Sequence, residues 1–265
     1  TAYRLAKAGA RVVLLDRATF PRDKPCGGGV TGRAARLLPF SIEPVVEQVV
    51  SGVDLRLRFG KTLARGGDEP LVHMTQRKRL DHFLVQKAIE AGAEFREGVK
   101  VANVTVRDDG AAVEGFEAEA LVGADGVNGV TARALGLGGN RVVGVALEAN
   151  LPYGKLERAR YAGRLALELG VVPGGYGWVF PCGATTRIGL CTFDAGVPLA
   201  ARLKEFLARF GATPGPTHGG VMATARRPPL CGEIFVVGDA GGRCLPLTAE
   251  GIRTALFFGT QCGQA

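Results

Sequence analysis

The sequence predicts a mixed α/β fold, and two features of it carry the prediction. Three short apolar runs each stop at an acid: Arg11–Leu15 at Asp16, Ala118–Ala124 at Asp125, and Ile234–Val237 at Gly238-Asp239. Buried runs of that length, followed by Gly and a helical pattern, read as strands of a parallel sheet whose ligands bind at the carboxyl ends. The pattern then changes from Val142 to about Leu230, where short apolar strands return with Gly and Pro between them. That stretch reads as an inserted, mainly antiparallel sheet. The expected architecture is therefore a Rossmann-like domain built from 1–40, 77–140 and 231–265, with a second layer built from 41–76 and 141–230.

Length and composition set limits. A chain of 265 residues, 46% of them hydrophobic, suffices for one large domain or two small ones with a substantial core. No run of about 18 uninterrupted apolar residues is present, so no spanning helix is expected. The formal charge is +8, with Arg far outnumbering Lys. This reads first as a solvated basic surface, and second as attraction to an anionic substrate or a membrane surface. No Lys/Arg block with interleaved aromatics suggests nucleic acid. The six Cys, at 26, 182, 191, 231, 244 and 262, form no CxxC pair. No metal site and no disulfide framework follow from them; reduced thiols in the cytoplasm fit better.

The elements follow in order. Thr1–Ala8 reads as the back half of a helix closed by Gly9, and Arg11–Leu15 as the strand after it. A helix, a Gly, a strand and a terminal acid make the second half of a dinucleotide-binding unit, in which Asp16 would bond a ribose hydroxyl. The glycine-rich phosphate loop of such a unit would precede Thr1, so the chain reads as a fragment that begins inside the first helix. In this form it is expected to bind a dinucleotide weakly. Phe20 to Val30 holds two prolines and then Cys26-Gly27-Gly28-Gly29. The prolines stiffen the lead-in, and three glycines leave room for a flat ligand beside Cys26.

Val53 to Phe59 alternates apolar and charged residues, predicting a half-buried strand with Val53, Leu55, Leu57 and Phe59 inward. Arg77 to Ala91 reads as a helix capped at Gly92, and Glu97–Val104 as the next strand. A helix over Val130–Leu135 follows Asp125-Gly126, and another covers Pro198–Phe210. Tyr176-Gly-Trp-Val-Phe-Pro181 puts Tyr176, Trp178 and Phe180 on one face of a strand. Near the end, Asp239 stands after a strand, and a helix starts near Gly251-Ile252. A helix N-terminus there offers free N–H groups and partial positive charge to an anionic ring.

These residues carry a resemblance. Pro21-x-x-Lys24-x-Cys26-Gly-Gly-Gly29 resembles the P-x-x-K-x-C-G-G-G motif of the geranylgeranyl reductase family, flavoproteins of the para-hydroxybenzoate hydroxylase-like superfamily. Arg77-x-x-x-Asp81, Gly123-Ala-Asp-Gly126 and Gly238-Asp239 with Pro246 to Ile252 resemble further family fingerprints in the right order. Tyr176-x-Trp-x-Phe-Pro resembles the family's Y-x-W-x-F-P-K, although Cys182 replaces the Lys. Thr248-Ala249 stands where a Thr/Gly pair is usual.

The resemblance implies an FAD-dependent oxidoreductase that reduces isolated C=C bonds of prenyl chains. It assigns FAD contacts to Asp16, Arg17, Gly27, Gly28, Val30, Arg77, the Val101 backbone, Asp125, Gly126, Asp239, Gly251 and Ile252. Reduced flavin would deliver hydride and an acid would protonate the other alkene carbon; Cys26 is the candidate catalytic acid by its location, with bound water as its rival, and Tyr176, Trp178 and Phe180 would face the substrate. NAD(P)H or a reduced ferredoxin would supply electrons. A monomer is expected, cytoplasmic or peripheral at a membrane. The alternatives are a flavin monooxygenase of the same fold, supported by Asp125-Gly126, and an inactive flavoprotein fragment.

Overall fold

The computed structural model describes residues 1–137, 143–152, 161–213, 215–231 and 233–265. Helix α1 (Ala2–Lys7) ends before Gly9, whose φ of 90° reverses the chain into β1 (Val13–Asp16). Then come β2 (Gly29–Thr31), α2 (Gly32–Ala35), β3 (Val46–Val50), β4 (Gly52–Leu57), β5 (Thr62–Gly66) and β6 (Val72–Thr75). Helix α3 (Arg77–Glu90) leads to β7 (Glu94–Glu97), and β8 (Thr105–Arg107), β9 (Gly110–Val113), β10 (Phe116–Ala118) and β11 (Leu121–Gly123) follow. After α4 (Thr131–Ala134) come β12 (Val143–Pro152), β13 (Arg164–Leu169), β14 (Gly175–Cys182) and β15 (Thr185–Thr192). The chain closes with α5 (Leu199–Ala208), β16 (Thr217–Ala223), β17 (Leu230–Cys231), β18 (Ile234–Val236) and α6 (Ile252–Cys262).

Parallel pairing occurs where the acid-ended runs lie. Strand β1 pairs with β7, and β11 with β18, so Asp125 and Asp239 leave one end of the same pair. A seven-stranded sheet takes the order β16-β12-β15-β14-β13-β4-β5 and is antiparallel except between β13 and β4. Strands β2, β6 and β3 form a smaller antiparallel sheet that joins the Cys26 loop to α3.

The large sheet has two unlike faces. Val179, Ile188, Leu190, Ala149 and Ala166 point to one side, against Leu203, Phe206 and Leu207 of α5. The apolar spacing of α5 follows from this, since its core side chains recur at three and four residues. Directly opposite residues on paired strands share a face, so Tyr176, Trp178 and Phe180 share the other face with Arg187 and Glu148. That face meets the Cys26 loop.

Three expectations are corrected. No strand covers Glu97–Val104: β7 ends at Glu97, and Gly98 at φ 73° turns the backbone out of the extended region. Strand β4 does not bury its whole apolar face, because Leu57 is 64% exposed while Arg56 is 7% exposed. Arg56 is drawn in by Glu168, its ion-pair partner directly across the β4–β13 junction. Phe59 lies beyond the strand at φ 60° and packs on Phe206 of the opposite face, with ring centroids 5.8 Å apart. The β8–β10 meander was not foreseen; its turns lie at Asp108-Asp109 and Glu114-Gly115, with Glu114 and Gly115 both at positive φ.

Candidate active site

Cys26 stands where the loop before β2, the first turn of α3 and the open face of the large sheet converge. Its backbone is gripped from the sheet. The Cys26 N–H donates to Glu148 Oε1 at 3.1 Å, and Arg187 Nη1 donates to the Cys26 carbonyl at 2.9 Å and the Thr75 carbonyl at 3.2 Å. Thr75 in turn donates from its N–H and its hydroxyl to the Gly28 carbonyl, at 2.8 and 2.9 Å. The Gly28 N–H points at Cys26 Sγ, 3.4 Å away. The glycines are needed here. A Cβ on Gly27 would lie 2.9 Å from Phe180 Cδ2, and one on Gly28, at φ 75°, would collide with Arg187 and the Thr75 carbonyl.

Charge runs through the site as a chain. Arg77 makes a bidentate pair with Asp81, Nε to Oδ1 and Nη2 to Oδ2, both at 2.7 Å. Asp81 also accepts from Arg22 Nη1 at 2.7 Å, and Arg22 Nη2 lies 3.7 Å from Asp16 Oδ2. Burial works against the charge of Arg77, but nearby Cys26 and Asp81 outweigh that and hold it firmly protonated. Lys24 lies by Arg77 and Asp239. Enclosure pushes its ammonium pKa down, Arg77 adds to the effect, and Asp239 opposes it.

Asp239 sits beside the start of α6, where a Cβ on Gly251 would be 3.7 Å from its Oδ1. Burial pushes the Asp239 carboxyl up, with Lys24 and Arg77 opposing. Among the described residues no side chain caps α6, so the N–H groups of its first turn, beginning at Gly251 and Ile252, are open to a ligand. Tyr176 ties the sheet to this corner by donating its hydroxyl to the Thr248 carbonyl at 2.7 Å, and burial raises its pKa. Two thiols line the same corner. Burial pushes Cys244 up to about 12 and raises Cys191, which Tyr176 contacts. The aromatic stripe is continuous: Tyr176–Trp178 and Trp178–Phe180 ring centroids are 6.2 and 6.0 Å apart.

The expected residues thus fall into two groups. Cys26, Gly27, Gly28, Arg77, Asp239, Gly251, Ile252, Tyr176, Trp178 and Phe180 surround this corner, and Asp16 joins it through Arg22. Val30 is 1% exposed and belongs to the core under α3. Arg17 is exposed, and Val101 is half-buried in an irregular segment. Asp125 accepts from Thr131 N and Oγ1, both at 2.9 Å, which anchors the start of α4, and Gly126 follows at φ 78°. Glu148, Arg187 and Asp81 were missed as site residues. The signal was present for two of them: β12 and β15 each carry a single charge, Glu148 or Arg187, among uncharged residues, and a charge so placed in a strand must be paired or used.

The residues fit a flavin dinucleotide. The side-chain-free loop, the uncapped helix start and a half-buried acid with no side-chain donor among the described residues match a flat anionic ring with a polyol tail. Among the described residues no cluster of three metal-ligating side chains occurs, and Cys26, Cys182, Cys191, Cys244 and Cys262 are free thiols.

No protein-family model matches the chain. It is 30% identical over 291 residues to the menaquinone reductase of Mycolicibacterium smegmatis, an alignment covering 96% of this chain and 70% of that protein. It is 27% identical over 298 residues to the chloroplastic geranylgeranyl diphosphate reductase of rice, covering 98% of this chain and 62% of that one. In fold it matches the crystal structure of a geranylgeranyl bacteriochlorophyll reductase-like protein of Thermoplasma acidophilum, with a TM-score of 0.86 at 18% identity over 99% of this chain and 73% of that one.

Proposed function

The chain belongs to the geranylgeranyl reductase family, and on that premise we propose that it is an FAD-dependent oxidoreductase that saturates C=C bonds in the prenyl chain of a lipid or diphosphate. The observation that carries the reading is the apposition of the Cys26 loop and an aromatic stripe, with Gly27 packed on the Phe180 ring. Reduced FAD, when bound, supplies the hydride for one alkene carbon. Gly27, Gly28, Asp239 and the α6 N-terminus would hold it, with Asp16 and Arg77 at the flanks. Tyr176, Trp178 and Phe180 hold the alkene by apolar contact and exclude water from it.

Apolar rows extend the stripe across the sheet. Leu167 lies opposite Trp178, Leu57 opposite Leu169, and Leu63 opposite Leu55. A long hydrocarbon suits such a surface better than a compact aromatic substrate does. The Cys26 thiol gives its proton to the second alkene carbon and is reprotonated from solvent. NAD(P)H or a reduced ferredoxin fits as the source of electrons.

The test is single-turnover oxidation of pre-reduced enzyme by a prenyl diphosphate. General acid catalysis is worth about 100- to 10,000-fold, so Cys26→Ala should lose at least the lower figure while flavin binding is kept. Unchanged rates in both Cys26→Ala and Cys26→Ser would leave water as the acid. Oxygen consumption coupled to hydroxylation of an aromatic substrate would favour the monooxygenase alternative instead.

A further inference from the structure

We propose that Glu148 and Arg187 are positioning residues for Cys26: one acid and one guanidinium from neighbouring strands of the large sheet fix the backbone that carries the reactive thiol. The inference rests on the reading of Cys26 given above. A peptide unit has one donor and one acceptor, and at Cys26 a charged side chain takes each. Glu148 accepts the N–H at 3.1 Å, and Arg187 donates to the carbonyl at 2.9 Å. Hydrogen bonds to ionised groups are shorter and stiffer than neutral ones. With both made, the loop cannot pivot about Cys26 without breaking a charge-assisted bond.

The arrangement is costly in any other role. Glu148 is 5% and Arg187 8% exposed, and burial raises the Glu148 pKa despite the nearby Arg187 and His218. Buried charge adds little stability unless fully paired, and Glu148 Oε2 is buried without a hydrogen-bond partner among the described residues. Nor do the two merely join strands. They sit on alternate residues of the site face, Glu148 opposite Gly189 and Arg187 opposite Phe180, where Gly189 has no side chain to come between. Arg187 also reaches the Thr75 carbonyl, next to the Arg77 helix. One side chain therefore sets the loop against both the sheet and the strand end that leads into the Arg77 helix.

Two readouts test this in the flavin-loaded protein and one in the protein without flavin. The first compares kcat and KM for prenyl reduction in Glu148→Leu, Glu148→Gln, Arg187→Met, Cys26→Ala and the Cys26→Ala/Glu148→Leu double variant. A displacement near 1 Å can cost about 100-fold, so Glu148→Leu and Arg187→Met should lose between about tenfold and about 100-fold in kcat with little change in KM. Glu148→Gln, whose amide oxygen still accepts the N–H, should recover most of the Glu148→Leu loss. The double variant should fall no further than Cys26→Ala, because the lost group acts through Cys26.

The second readout is the absorption spectrum of bound flavin, which should be retained throughout. The third is the alkylation rate of Cys26 by iodoacetamide across pH, followed by peptide mass spectrometry. It should shift in Glu148→Leu and Arg187→Met and return toward wild type in Glu148→Gln. Unchanged kcat and unchanged alkylation in Glu148→Leu and Arg187→Met would overturn the proposal, as would a double variant whose losses multiply. If Glu148→Leu does not fold, Arg187→Lys takes its place. Arg187→Lys, with a compact ammonium in place of the fork, should then lose kcat and shift alkylation, and wild-type values in it would overturn the proposal. A Cys26→Ala enzyme of full activity would sink the role of Cys26 while leaving the alkylation shifts to decide on the clamp.

Discussion

At the scale of single residues, the site depends on what Gly27 and Gly28 lack. Gly28 adopts φ 75°, and its missing Cβ is the space into which the Arg187 guanidinium reaches the Cys26 carbonyl. Gly28→Ala therefore meets two penalties, a left-handed backbone and a collision with a buried cation. The expected loss is about 1–3 kcal/mol of unfolding free energy, read from urea denaturation. Cys26 alkylation should change as well, because Arg187 must move. Gly29→Ala is the comparison: a Cβ there meets the Val72 side chain, so its effect should fall on packing alone. Equal alkylation rates in wild type and Gly28→Ala would show that Arg187 does not sense the loop.

At the scale of elements, strands that end in acids were legible because a short apolar run stops at an acid and a turn or helical pattern follows. The aromatic stripe of β14 was legible for the same reason, since alternation fixes the face. What was not legible is pairing across long separations. Arg56 in Val53–Phe59 looks like the solvent side of a half-buried strand, and only Glu168 on β13 turns it inward. The same holds for Glu148 and Arg187, whose partner is a backbone more than a hundred residues away. Asp81 was legible as part of an Arg-x-x-x-Asp turn, but not as the hub linking Arg22 to Arg77. The ion pair of Arg56 and Glu168 gives an element-scale prediction. With Glu168 0% exposed, Arg56→Met takes the guanidinium away from a buried carboxylate and should cost about 3–5 kcal/mol. Pairing it with Glu168→Leu should restore much of that loss. Chemical denaturation of the three proteins measures both, and a double variant as unstable as the single one would count against the account.

At the scale of the whole molecule, the buried acids of the site couple stability to pH. Burial raises the pKa of both Glu148 and Asp239, so the folded state holds their protons more tightly than the unfolded chain does. Their contribution is fully present below the ordinary carboxyl range, about pH 4, and is lost as pH rises through the raised values. Arg187 and His218 oppose the shift at Glu148 and Asp23 adds to it, without reversing its sign. Glu148→Gln removes this titration. Its melting temperature should therefore gain on that of wild type as pH rises from about 4 to 7. Parallel curves over that range would mean that Glu148 is already ionised freely in the folded protein.

The one parallel junction of the large sheet also bears on how the chain comes to be folded. Strands β4 and β5 can form a hairpin as soon as they exist, but Arg164, which closes on Asp54 across the β4–β13 border, comes 110 residues later. At about 5–20 residues per second, a ribosome needs roughly 6 to 22 s to supply it. Until then the hairpin presents Leu57 and Leu63 with no third strand, and Arg56 has no counter-charge. A two-stranded hairpin is marginal on its own. Leu57 and Leu63, on the side of the sheet where a hydrocarbon substrate is proposed to lie, thus belong to the hairpin that waits longest for its neighbouring strand. The protein's exposure to misassembly is set by the distance in sequence between two strands that touch.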